Sequence, residues 1–241
     1  VAQGLIIRGF SPWLYPDFIY NRTKLKQEIN EGGTKIHTYL SQILKFKREE
    51  ITENESTDFI KRNGFLKRML EISQSNDIYN ENQLLGEILT MFSAGTDTTT
   101  TAICFVLVML GIHRDVQDRA YLEIMEIVGD PDTPLTYKNL QKMFYLERVI
   151  KEVLRLYPPV PFFVRNVTED LPIGEHTVPR GAACIIAPFV LHRNPNIWPD
   201  PEKFNPDRFL RESIENRHPY SYIPFSGGSR NCIGNTTRIS C

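Results

Sequence analysis

The sequence predicts a mostly α fold with a small β portion late in the chain. Three observations carry that expectation. Apolar residues recur at helical spacing through most of residues 33–156. Pro158, Pro159 and Pro161 then stop that pattern. Beyond them, short β-rich runs alternate with proline-rich coil.

The first helix is expected from Gly33 to Lys47, where Ile36, Tyr39, Leu40, Ile43, Leu44 and Phe46 share helical spacing. Phe65 to Ile72 gives a short second helix. Asn80 can cap a long third one, with Gln83 in the capping-box position three residues on. That helix runs through Leu84, Ile88 and Phe92 to about Gly111. Another covers Val116 to Val128 and ends at Gly129-Asp130-Pro131. A fifth spans Leu140 to Leu156. Phe162 to Thr168 and Thr177 to Ala187 read as β-rich, and Asn194 to Phe209 as coil. No repeat or linker-like stretch divides the chain, so residues 1–241 are expected to form one domain.

Hydrophobic residues at 41% and charged residues at 24% fit a packed core and argue against disorder. The net charge of −1 leaves no overall field to mark a nucleic-acid partner. The run from Lys45 to Glu50 reads as a solvated helix end. Cys104, Cys184, Cys232 and Cys241 lack the spacing of a disulfide framework or a zinc module. No segment reads as a membrane span. The best apolar run, Ala102 to Ile112, has eleven residues, against roughly 20 needed. The sequence starts at Val1 and stops at Cys241 in mid-motif, so it is expected to be a fragment, with any membrane anchor in residues outside it.

Three places conflict with local structural rules. The long helix contains Ser93-Ala94-Gly95-Thr96-Asp97-Thr98-Thr99-Thr100-Thr101. Glycine and threonine weaken a helix, and an acid in an apolar helix adds a burial cost. A functional groove with a proton donor and a plain polar face both account for it. Glu152 and Arg155 share a helix face three residues apart, which ordinarily makes a surface pair of small value. Phe225-Ser226-Gly227-Gly228-Ser229-Arg230-Asn231-Cys232-Ile233-Gly234 sets one cysteine among three glycines, which allow a tight backbone that holds the sulfur outward. The adjacent Arg230 favours a thiolate. A phosphate-binding loop is excluded, since no Gly-Lys-Ser/Thr follows. A cysteine nucleophile with His192 or His218 as base stays open.

Together these residues resemble the cytochrome P-450 family. Its haem loop, Phe-x-x-Gly-x-Arg-x-Cys-x-Gly, is met by Phe225, Gly228, Arg230, Cys232 and Gly234. Its oxygen-activating helix is met by Ala94, Gly95, Asp97, Thr98 and Thr99. Its Glu-x-x-Arg is Glu152 and Arg155, and its later arginine motif is Asn205-Pro206-Asp207-Arg208-Phe209. The four stand in the family's order.

The resemblance implies a partial cytochrome P-450 fold and a role for each residue. Cys232 would be the axial ligand to haem iron. Arg230 and Arg165 would pair with the haem propionates, while Phe225, Gly228, Gly234, Ala94 and Gly95 would line the cofactor. Asp97 and Thr98 would be the catalytic acid–alcohol pair that delivers protons. Glu152, Arg155 and Arg208 would form a buried structural network beneath the haem. Arg165-Asn-Val-Thr-Glu-Asp, Ala187-Pro-Phe-Val-Leu-His-Arg193 and Pro199-Asp-Pro-Glu-Lys-Phe204 resemble the family-four clan, in an insect-like form. Many clan members carry a covalently attached haem on a glutamate where this chain has Ala94, so the haem implied is non-covalent haem b. After Gly234 the family continues into an alanine- and aromatic-rich helix, a pattern that Asn235 to Cys241 lack.

The implied activity is a monooxygenase inserting one oxygen atom from dioxygen into an apolar substrate: a fatty acid, another lipid or a xenobiotic. Electrons would come from NADPH through a separate reductase, with cytochrome b5 a further candidate donor. The implied location is the cytosolic face of the endoplasmic-reticulum membrane. Three other readings stay open. A haem-thiolate enzyme that rearranges peroxides conflicts with the retained Asp97-Thr98. A non-catalytic fragment or degenerate copy would bind haem weakly or not at all. A cysteine hydrolase leaves Glu152, Arg155 and Arg208 unexplained.

Overall fold

The computed structural model describes residues 2–53, 64–76, 80–130, 133–215 and 217–234. It is mostly helical with a small strand portion. The helices are α1 (Ala2–Gly9), α2 (Asp17–Tyr20), α3 (Lys24–Glu53), α4 (Phe65–Asn76), α5 (Glu81–Ile112), α6 (Arg114–Val128), α7 (Tyr137–Leu140), α8 (Phe144–Leu156), α9 (Pro188–Leu191) and α10 (Arg211–Glu215). The strands are β1 (Phe163–Asn166), β2 (Leu171–Ile173), β3 (His176–Val178) and β4 (Ala183–Ile186). The expected ending after Gly234 lies outside the described residues, as does Pro131; α6 stops at Val128 with Gly129 as its C-cap, as expected.

The chain divides into two compact units, Val1–Ala94 and Gly95–Cys241, with the boundary inside α5. In the first unit, α3 supplies Leu40 and Leu44, α4 supplies Leu70, and α5 supplies Leu84, Leu85 and Ile88 to one buried cluster. The spacings of three and four within each helix put these side chains on one face. Asn80 and Gln83 cap α5 reciprocally. The Gln83 N–H donates to Asn80 Oδ1 at 2.9 Å and the Asn80 N–H to Gln83 Oε1 at 3.0 Å. α3 begins nine residues before the expected Gly33 and runs straight through the glycine pair Gly32-Gly33.

In the second unit, Met109 of α5, Val116 and Ala120 of α6, and Tyr145, Val149, Val153 and Leu156 of α8 pack with Phe204. The fifth helix was expected from Leu140; instead α7 ends there and α8 starts at Phe144. Glu123 of α6 explains the break. Its two carboxylate oxygens accept the Tyr145 and Leu146 N–H groups at 2.7 and 2.9 Å, satisfying donors that a helix start leaves free. α8 stops at Pro158, as expected.

Two antiparallel two-stranded sheets follow among the described residues. β1 pairs with β4, setting Arg165 opposite Cys184. β2, which the sequence reading did not anticipate, pairs with β3 across a turn containing Gly174 at φ 59°. Pro172 is tolerated there because β2 bonds on one side only.

α5 departs from the expectation that no segment is long enough to span a membrane. Its 32 residues include a window of mean hydropathy 1.5, which meets the length and composition of a span. Threonine, serine and glycine interrupt its apolar run, with Asp97 the one charged residue among them. The core helix of a soluble protein meets the same length and composition.

Candidate active site

The cysteine loop leaves the 3₁₀ turn at Pro219–Ser221 and passes through Tyr222 and Ile223 to Phe225. The Ser226 N–H donates to Ile223 O at 3.1 Å, and the Cys232 N–H returns to Phe225 O at 2.9 Å, closing the loop on itself. Two backbone positions make this possible. Gly228 adopts φ 76°, a left-handed value that suits glycine. Gly227 is extended, but a Cβ there would come within 2.8 Å of the Tyr220 ring. Ser226 also takes a left-handed φ of 66°. Its hydroxyl meets Arg165 Nη2 at 3.3 Å, and the same Nη2 donates to Arg230 O at 3.3 Å. The β1 arginine therefore lies against the cysteine loop. Cys232 is half-buried, Arg230 is exposed, and Phe225 and Gly234 are half-buried.

The charged residues of α8 are not a surface pair. Glu152 and Arg155 are both fully buried. Arg155 uses each of its five N–H groups. Nε and Nη2 donate to the two Glu152 oxygens at 2.7 and 2.8 Å. Nη1 donates to His192 O and Pro201 O at 2.8 and 2.7 Å, and Nη2 also to Lys203 O at 3.3 Å. Glu152 Oε1 further accepts the Asn205 N–H at 2.9 Å and pairs with Arg208 Nε at 3.4 Å. Arg208 Nη2 donates to Asp200 O at 2.7 Å. Sequence reasoning named the three charged side chains but not the carbonyls that saturate Arg155.

α5 carries the remaining residues. Ala94, Gly95 and Asp97 are exposed, and Thr98 and Thr99 are half-buried. The burial cost expected for Asp97 is therefore absent, because this stretch of α5 faces outward. The structure thus joins Arg165 to the cysteine loop, and Glu152 to Arg155 and Arg208. Asp97 and Thr98 stand on α5, a different element from either group.

Neither histidine considered as a base for Cys232 is free for that work. His192 Nε2 accepts the Ile223 N–H at 2.9 Å, and His218 Nδ1 accepts the Tyr220 N–H at 3.2 Å. His192 is fully buried, and burial, followed by the charges of Arg155 and Arg193, lowers its pKa to about 4. It is a neutral acceptor. Its backbone role was not legible, because the partner lies 31 positions away. Burial also pushes the Tyr222 phenol well up, and its hydroxyl donates to Lys151 O at 2.9 Å.

The family model for Cytochrome P450 matches residues 9–236. The chain belongs to the cytochrome P450 family. It is 40% identical over 238 residues to Cytochrome P450 4c3 of Drosophila melanogaster, covering 92% of this chain and 44% of that protein. It is 38% identical over 235 residues to Cytochrome P450 4c21 of Blattella germanica, covering 94% and 47%. To the human Cytochrome P450 4V2 it is 37% identical over 234 residues, covering 92% and 44%. The chain thus spans about half the length of the curated relatives it matches.

Membership in the cytochrome P450 family implies haem as the cofactor. The donor chemistry fits. No group of three or more His, Cys, Asp or Glu able to hold a bare metal ion occurs among the described residues. A single partly exposed sulfur suits instead a metal whose other ligands arrive with it, as in a macrocycle. The Arg165 guanidinium beside the loop suits the acidic edge of such a group.

Proposed function

We propose that this cytochrome P450 chain carries the iron-ligand portion of a haem-thiolate monooxygenase. It would insert one atom of dioxygen into a fatty acid, another lipid or an apolar xenobiotic. One observation carries this reading. The loop of Cys232 is closed by its own N–H on Phe225 O at 2.9 Å, with the Arg165 guanidinium lying on the same loop. That pairs one sulfur with a cationic flank.

Haem b, held without a covalent link, would supply the redox centre. Cys232 Sγ would bind its iron, and Arg165 and Arg230 would bind its two carboxylates. Gly228 and Gly234 would leave room for it along the loop, and Phe225 would add an apolar contact. Ala94 and Gly95 would line the cofactor, as the resemblance implies. Asp97 is exposed and Thr98 half-buried, and as acid and alcohol they would deliver protons at the cofactor. Glu152, Arg155 and Arg208 would hold the backbone of residues 192–205 through their hydrogen bonds to it.

The electron source would be an NADPH-dependent reductase, with cytochrome b5 as a further donor. The location would be the cytosolic face of the endoplasmic-reticulum membrane. The family match crosses the boundary between the two units, which favours one partial domain over residues 1–241.

The deciding experiment is the absorption spectrum of the reduced, carbon-monoxide-bound protein. A strongly red-shifted Soret band is expected, and Cys232→Ser is expected to abolish it. Survival of that band in the serine variant would sink the assignment.

A further inference from the structure

His192 connects two parts of the second unit that the sequence separates. Its carbonyl accepts Arg155 Nη1–H at 2.8 Å, which fastens its backbone to the buried charge network. Its ring Nε2 accepts the Ile223 N–H at 2.9 Å. Ile223 is where the cysteine loop begins, since its carbonyl accepts the Ser226 N–H at 3.1 Å. Two residues on, the Phe225 carbonyl accepts the Cys232 N–H at 2.9 Å. The ring is fully buried, with its centroid 5.2 Å from that of Tyr222 and 6.3 Å from that of Trp198.

The chemistry of this contact is selective. A backbone N–H outside any ladder needs an acceptor when it is shielded from water. Imidazole can provide one at Nε2 only when uncharged and protonated at Nδ1. The surroundings disfavour the charged form, and the Ile223 N–H selects Nε2 as the acceptor, leaving the proton on a buried Nδ1 that has no partner among the described residues. The guanidinium of Arg155 binds the adjacent carbonyl, Arg193 follows in sequence, and apolar rings enclose the imidazole. Burial accordingly lowers the pKa of His192 to about 4.

We propose that His192 is a positioning residue for the iron ligand. Its neutral imidazole anchors the start of the Cys232 loop to the Glu152–Arg155 network and so sets the direction of the sulfur. The role rests on the assignment of Cys232 as the haem ligand. It goes beyond that assignment by naming the acceptor that holds the loop in place.

Two variants of the naturally expressed protein test it. His192→Gln retains a side-chain acceptor, whereas His192→Leu removes it at comparable size. Two quantities are measured: hydrogen exchange at the Ile223 amide, and the lifetime of the red-shifted carbon-monoxide band. Stranding a buried donor is expected to speed Ile223 exchange about tenfold in the leucine variant. The red-shifted band is expected to decay to an unshifted one about tenfold faster. The glutamine variant is expected to recover both. Equal behaviour of the two variants would show that the ring only fills space and would overturn the proposal. If the leucine variant does not fold, the parent decides. An Ile223 amide exchanging as fast as an unprotected one overturns the anchor, and slow exchange kept by glutamine supports it. A protected Ile223 in a parent lacking the red-shifted band overturns the Cys232 assignment, and the positioning role falls with it. A parent with the band, but indifferent to His192→Leu, overturns the positioning role alone.

Discussion

The Glu152 carboxylate and the Arg155 guanidinium pair through two hydrogen bonds of 2.7 and 2.8 Å, and neither side chain reaches solvent. Arg208 adds a second cation at 3.4 Å, and the Asn205 N–H a fourth contact. Glu152→Ala strands these donors, at an expected cost of roughly 3–5 kcal/mol. Glu152→Gln keeps an acceptor and is expected to lose less. Urea midpoints of the two variants check the order; equal midpoints would reject it.

His192 makes stability fall as the solution is acidified. Unfolded, it titrates near the usual histidine value; folded, burial holds it at about 4. Between those values the unfolded chain binds a proton that the fold refuses, so acid favours unfolding. The expected loss from pH 7 to pH 4 is roughly 3 kcal/mol from this one group. His192→Gln is expected to flatten the curve across that window, measured by denaturant unfolding at each pH.

Thr98 offers its hydroxyl from the half-buried side of α5. Thr98→Ala is expected to leave haem binding largely intact while product formed per NADPH consumed falls. A positioned proton relay contributes about 10²–10⁴-fold to rate. Unchanged coupling would return the threonine run to a structural role.

Ala94 has no group able to form an ester. Haem is therefore expected to leave the denatured protein completely in acid and organic solvent. Colour remaining with the chain would point to another acid on α5, with Glu87 the first to replace.

What the sequence made legible was local. The Asn80–Gln83 cap needed only a spacing of three and occurs as expected. The start of α8 was misplaced because its cap, Glu123, comes from another helix 22 and 23 positions earlier. The start of α3 was placed late, at Gly33, where the counted apolar repeat begins, whereas the helix starts at Lys24. Two glycines cost about 1 kcal/mol each, too little to interrupt a 30-residue helix. The motif residues of the candidate site were visible by type and order. The pairing of His192 with Ile223, and of Arg155 with three carbonyls, was not, because nothing periodic links residues tens of positions apart.

The five-way saturation of Arg155 has a temporal side. Glu152 is available one helical turn away as soon as α8 forms, but the three carbonyls lie 37, 46 and 48 residues further on. At about 5–20 residues per second of synthesis, the last of them arrives roughly 2–10 s after the arginine. During that interval the guanidinium stays hydrated, its remaining N–H groups pointing at a segment not yet made. α8 therefore acts as a mould. The proline-rich stretch that follows Asn194 takes its irregular course around a cation already in place.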